Sequence, residues 1–206
     1  MDKQIRGLTL IELVIAITLM SLLVLSYYSI YFFSSYHTIS AINRTRIQNE
    51  VTIALEHMTK EISNAIGDFN QPAVEIVNIA GDRAIKVWID GNPYSSPVIA
   101  PDGRRDSYPD DHQIAYRFTG AGGAAANSYQ IWYYANCIGP NCNQPGNVGP
   151  EIIASHIQEF TRQALDNYNY LDIVITARWK PEQAASLDNP EITMHTKIKM
   201  PSVSTH

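Results

Sequence analysis

The stretch "RGLTLIELVIAITLMSLLVLSYYSIYFF", residues 6–33, decides how the rest of this chain is to be read. From Leu13 to Phe33 about 21 residues pass without a charge, which at ~1.5 Å per residue matches the ~30 Å hydrocarbon core of a bilayer. Glu12 sits at the front of that run. A carboxylate held in hydrocarbon costs about 2.5–3.5 kcal/mol when it is central, and such a group is generally retained because it pairs with something.

Three readings of this segment are open on the residues alone. A cleaved secretory signal would need a shorter apolar region followed by a small-x-small site, whereas this one runs into "SYYSIYFFSSYH". A plain single-pass anchor fits the length, with Tyr27, Tyr28, Tyr31, Phe32 and Phe33 at the interface, but leaves Glu12 unexplained. The third reading starts from the leader "MDKQIRG", which is polar, carries Lys3 and Arg6, and ends in Gly7 directly before "LTLIELV". This arrangement resembles the class III leader of type IV prepilins and type II secretion pseudopilins.

The resemblance implies cleavage after Gly7 by prepilin peptidase and N-methylation of the new first residue, Leu8. It also implies that the mature chain's fifth residue, Glu12, serves assembly. Leu8 departs from the family's usual phenylalanine by a conservative apolar change. The physical logic is that a freed α-amine at the membrane edge needs a counter-charge, which the Glu12 of one subunit offers to its neighbour. Taken separately, Gly7 reads as a flexible residue before a helix, and Glu12 as an acid near the positive end of a helix dipole.

Beyond the apolar run the helical pattern continues. No proline occurs before Pro72, and Ile47, Val51, Leu55, Met58, Ile62 and Ala65 recur at spacings of three and four, forming one apolar stripe on an otherwise polar helix. Gly67 offers a C-terminal cap. A helix from Leu8 to about Ile66 would be about 90 Å long, its first half suited to lipid or a filament core and its second half to a sheet.

The period then changes. "AVEIVNIAGDRAIKVWID" alternates and turns at "AGD"; "HQIAYRF", "SYQIWYYA", "YLDIVITARW" and "EITMHTKIKM" read as further strands. "IIASHIQEF" reads as a short amphipathic piece between the two halves of one mostly antiparallel sheet. The expected fold class is α+β, a long helix packed on a β-rich head, which is also the outline the prepilin resemblance implies. The expected division is a leader at 1–7, a transmembrane or filament-core helix at 8–34, an amphipathic continuation at 35–67 and the head at 68–206. The stretch "RIQNEVTIALEHMTKEISNAIGD" and the closing strands also loosely resemble J-type minor pseudopilins and W-type minor pilins.

Chemistry-bearing motifs are sparse. His37, His57, His112, His156, His195 and His206 are scattered outside any zinc or nucleophile pattern, and no serine sits in a G-x-S-x-G elbow. Cys137 and Cys142, in "CIGPNC", favour a local disulfide in an oxidising compartment over free thiols or metal binding. Asp102, Asp106, Asp110 and Asp111 form an acidic loop that is a weak calcium candidate; the spacing is not that of an EF-hand, and Arg104 and Arg105 lie beside them, so a solvated loop is the better reading. A net charge of −5 gives no basic surface for nucleic acid. No cofactor is called for.

The resemblance therefore implies a structural subunit, a minor pilin or pseudopilin. It would insert once into the bacterial inner membrane with its head in the periplasm or outside, and then join a filament. Its partners would be prepilin peptidase, other subunits, an inner-membrane assembly platform and membrane lipid. Two rivals remain open on the residues: a filament-borne binding module using exposed loop aromatics such as Tyr94, Tyr108, Trp132 and Tyr133, and a membrane-anchored enzyme with an unrecognised site.

Overall fold

The computed structural model describes residues 9–67, 72–101, 111–120, 128–144, 146–165 and 170–200. Its α1 runs unbroken from Leu10 to Ser63, 54 residues or about 80 Å. Thr9 caps its start and Lys60 lies in the last turn, where a cation suits the helix dipole. The helix ends at the Asn64 cap rather than at Gly67, whose expected capping role is corrected. Gly67 instead serves a close approach: a Cβ there would lie 2.6 Å from the backbone nitrogen of Ala73.

The C-terminal half of α1 buries one stripe. Ile47, Val51, Ala54, Leu55, Met58 and Ile62 are buried and Ala65 follows them into the core, so the residues picked out by spacing are those that face the head. At about 1.5–3 kcal/mol for burying each large aliphatic side chain, this stripe is what holds helix to sheet.

The strands are β1 (Val74–Ile79), β2 (Asp82–Ile89), β3 (His112–Thr119), β4 (Gln130–Tyr134), β5 (Glu151–Ala154), β6 (Ile157–Leu165), β7 (Tyr170–Arg178) and β8 (Glu191–Lys199). The expected α+β architecture is present, but with two antiparallel sheets in place of one. The five-stranded sheet has the order β1-β2-β3-β4-β5 and the three-stranded sheet β6-β7-β8. β1 and β2 meet through a tight turn in which Ala80 (φ 51) and Gly81 (φ 88) both take left-handed conformations, as a two-residue hairpin requires. Within β2, Ile85 and Val87 join the core beneath α1, while Ala84 packs on the opposite face.

The expected amphipathic piece "IIASHIQEF" is a second correction. Residues 151–154 close the first sheet, His156 turns the chain at φ 64, and residues 157–165 open the second. Its apolar spacing fits a helix and two short strands equally well. Arginines stitch the sheets together: the Arg162 guanidinium donates to the carbonyls of Ala84 (3.2 Å) and Val77 (2.8 Å), and Arg83 donates to the Phe160 carbonyl (3.1 Å). One core takes side chains from α1 and both sheets, including Ile114, Tyr116, Phe160, Ile173 and Ile175. A smaller cluster of Ile79, Ala84, Ala115, Tyr134, Cys137 and Cys142 lies on the back of the five-stranded sheet.

Candidate assembly site

The first half of α1 buries none of its large apolar side chains in the isolated chain. Every large apolar side chain from Leu10 to Tyr36 is at least half exposed, and the first core residue is Ile47. Such a continuous apolar surface, far larger than a soluble monomer leaves open, marks a contact surface. α1 is long and apolar enough to cross a bilayer by length and composition.

Its hydroxyls are adapted to that setting. Thr18 donates to the Ile15 carbonyl (2.9 Å), Ser21 to Ile17 (2.8 Å) and Ser26 to Leu22 (2.8 Å). These polar groups are therefore satisfied within the helix and need no partner in lipid.

At the front of α1, Thr9 and Glu12 form a reciprocal capping box. The Thr9 backbone N–H and hydroxyl both donate to Glu12 Oε2, at 2.9 and 2.8 Å, and the Glu12 N–H donates back to Thr9 Oγ1 at 3.4 Å. Glu12 thus occupies the N3 position, where an acid is favoured by the helix dipole and satisfies an orphan backbone donor. The carboxylate has a partner within its own chain. Gly7 and Leu8 lie outside the described residues.

The remaining expected residues are dispersed. Cys137 and Cys142 are joined by a disulfide with Cα atoms 4.4 Å apart. Asp102, Asp106 and Asp110, with Arg104 and Arg105, lie outside the described residues. Asp111 is buried and accepts a hydrogen bond from the Gly91 N–H at 3.2 Å, so this acid is not a solvated loop residue. Among the described residues no group of three His, Cys, Asp or Glu side chains could hold a metal ion.

Of the aromatics expected on loops, Tyr94 is exposed, Tyr108 lies outside the described residues, and Trp132 and Tyr133 sit half-buried in β4 against the core clusters. That is a correction. The histidines are mostly structural: His57 Nδ1 is 2.9 Å from the Tyr116 hydroxyl, and His112 Nδ1 is 2.6 Å from the Gly91 carbonyl. Burial pushes His112 below the ordinary histidine range against the pull of that carbonyl and of Glu61. His195 pairs with Asp172, and His206 lies outside the described residues.

Two groups escaped the sequence reading. Glu50 accepts from the Ser155 N–H (3.3 Å) and faces His156 Nδ1 (3.2 Å) and Arg46 (3.6 Å), while His156 stacks on Trp179 at 4.8 Å. Burial alone would push Glu50 up, but the His156 contact and charge, the Ser155 N–H and Arg46 together hold it below the ordinary glutamate value. Lys86, buried on the back of the five-stranded sheet, donates to the Gly139 carbonyl at 2.6 Å, and burial pushes it down against the pull of Glu75. Neither group has a local sequence signal, because partners such as Glu50 and His156 lie 106 residues apart.

Over residues 2–28 the chain matches the protein family described as the prokaryotic N-terminal methylation motif. No curated protein and no solved structure matches the chain. The methylation motif takes in the capped glutamate and the start of the exposed apolar helix, and it is the class III leader motif of the type IV pilin and pseudopilin superfamily.

Proposed function

We propose that this chain is a minor pilin or pseudopilin, trimmed after Gly7 by prepilin peptidase, N-methylated at Leu8 and assembled into a type IV pilus or type II secretion pseudopilus. On this reading residues 1–7 are the leader, 8–34 the transmembrane and filament-core helix, 35–67 its amphipathic continuation and 68–206 the head. The chain waits in the inner membrane as a single-pass precursor with its head on the far side. Its partners are the peptidase, other subunits, the assembly platform and lipid.

The observation that carries the proposal is the continuity of α1. The same unbroken helix presents an exposed apolar half and buries one stripe of its other half against the head, so no break in the backbone separates anchor from head. A continuous rod of this kind suits extraction from lipid into a helical stack, where neighbouring apolar segments replace the acyl chains. Glu12 would then exchange its Thr9 partner for a neighbour's α-amine. The motif suggests a structural subunit.

The test is mass spectrometry of the chain purified from cells that contain the peptidase. A mature N-terminus at Leu8 with one added methyl supports the proposal, and Gly7 replaced by a bulky residue should leave the precursor. A cut near Ser34 would overturn it.

A further inference from the structure

The loop between β7 and β8, residues 179–190, is closed on itself by Asn189. This buried side chain donates through Nδ2 to the carbonyls of Lys180 (3.1 Å), Gln183 (3.4 Å) and Ala184 (3.0 Å), and accepts from the Lys180 N–H through Oδ1 (2.7 Å). Ser186 and Asn189 also exchange backbone hydrogen bonds at 3.1 and 3.2 Å. The turn so formed is held by hydrogen bonds around that buried amide. Yet it carries Leu187, which is 77% exposed.

Leu187 does not point into empty surroundings. With Phe32, Phe33, Tyr36, His37 and Ser40 of α1 it lines a groove of about 310 Å³. These helix residues stand where the apolar run gives way to polar sequence. Counting ~30 Å of hydrocarbon from Leu13 puts the boundary at about Phe33, and the tyrosines and phenylalanines around it have the character of an interfacial belt.

We propose that the β7–β8 loop is a membrane foot: in the inserted precursor Leu187 enters the boundary between headgroups and acyl chains beside Phe33 and Tyr36, and so seats the head on the bilayer. The proposal rests on the reading of α1 as a membrane anchor. The occupant is lipid because the patch is continuous with the lipid-facing surface of that anchor and lies at the same level. The loop's own charges, Lys180, Glu182 and Asp188, sum to about −1 and offer no attraction to anionic headgroups, so contact is made through apolar burial. The rigid turn makes this economical, since no loop ordering accompanies insertion.

The experiment uses the full chain reconstituted in phosphatidylcholine vesicles, with and without phosphatidylglycerol. The environment-sensitive dye NBD is placed in turn at Leu187→Cys, Leu25→Cys and Val98→Cys, the disulfide keeping Cys137 and Cys142 unlabelled. Val98 is an exposed apolar control on the loop after β2, whose last residue pairs with Ala65 beyond the far end of α1. The expected result is a blue-shifted dye at position 187, quenched by headgroup-proximal nitroxide lipid roughly two-fold or more above position 98, and insensitive to salt and to phosphatidylglycerol.

Three results would overturn the foot. A position 187 as wet as position 98, while position 25 is buried in acyl chains, removes the foot and leaves the anchor standing. A position 25 in water removes both. Quenching at position 187 by nitroxide carried on a second copy of the chain, rather than on lipid, assigns the groove to a neighbouring subunit.

Discussion

Thr9 and Glu12 satisfy each other at the start of α1, with the Glu12 carboxylate accepting both the hydroxyl and the backbone N–H of Thr9. The pairing gives the carboxylate a local partner at the head of an apolar helix, and it distinguishes this capping role from the counter-charge role proposed for the same residue. As a cap Glu12 needs only an acceptor oxygen; as an inter-subunit counter-charge it needs its negative charge.

The two functions are separable by substitution. Glu12→Gln keeps the capping box and loses the charge, whereas Glu12→Ala loses both. Both variants should reach the membrane and lose their leader normally. Both should then be depleted from sheared filaments, since breaking a buried charge pair costs about 3–5 kcal/mol. Cross-linking of subunits in membranes and in filaments reads the difference. Normal incorporation of the glutamine variant would mean that Glu12 acts only as a cap.

Met58 is fully buried at the middle of the helical stripe, between α1 and the sheets. Met58→Ala should destabilise the detergent-solubilised chain by about 2–5 kcal/mol, the usual cost of a core cavity. Ile53, on the opposite side of the same helix and 61% exposed, is the control: Ile53→Ala should change stability by less than about 0.5 kcal/mol. Denaturant titration followed by tryptophan fluorescence measures both.

Glu50 ties α1 to the corner between the two sheets through the Ser155 N–H and His156. Its folded-state value is below the ordinary 4.5, so its contribution is complete above that pH and is lost as pH falls through the folded value. The wild-type chain should therefore lose stability below about pH 4.5, and Glu50→Gln should show a smaller loss over that interval. At neutral pH the glutamine variant should be weaker by about 1.5–3 kcal/mol, the range for hydrogen bonds to charged groups. Equal acid slopes for the two proteins would refute the assignment.

The disulfide loop covers Lys86, whose amine lies against the Gly139 carbonyl between the two bridged cysteines in sequence. In the oxidised chain Lys86 should resist acetylation while exposed Lys60 reacts. Reduction, or Cys137→Ser with Cys142→Ser, should raise labelling of Lys86 and lower stability by about 2 kcal/mol, as loop-closure entropy for so short a ring implies. Peptide mapping after reagent treatment checks this; rapid labelling of Lys86 in the oxidised protein would show that other contacts leave it open.

The helix was legible because its information is local. An uninterrupted apolar run, followed by Ile47, Val51, Leu55, Met58 and Ile62 at helical spacing, states both the length of α1 and the face it buries, and hydrogen bonds between residues four apart need no distant partner. The N-terminal methylation motif was legible for the same reason: it is one contiguous stretch, matched over residues 2–28. Alternation likewise located most strands, since a side chain's face follows from its position within the strand.

What tertiary structure alone decided depends on residues far apart in sequence. The division into two sheets is made at His156, where a left-handed backbone turns the chain, and nothing in "IIASHIQEF" distinguishes that corner from a helical turn. Asp111 reads as a loop acid but is buried at the base of a strand; Trp132 and Tyr133 lie in a stretch that reads as a strand and forms β4, but they are half-buried rather than exposed for binding. Glu50 meets His156, and Leu187 meets Phe33, only because the sheets fold back along α1. Burial and pairing of this kind are properties of the assembled core, where the cost of desolvating each polar group is settled by whichever partner the packing brings to it.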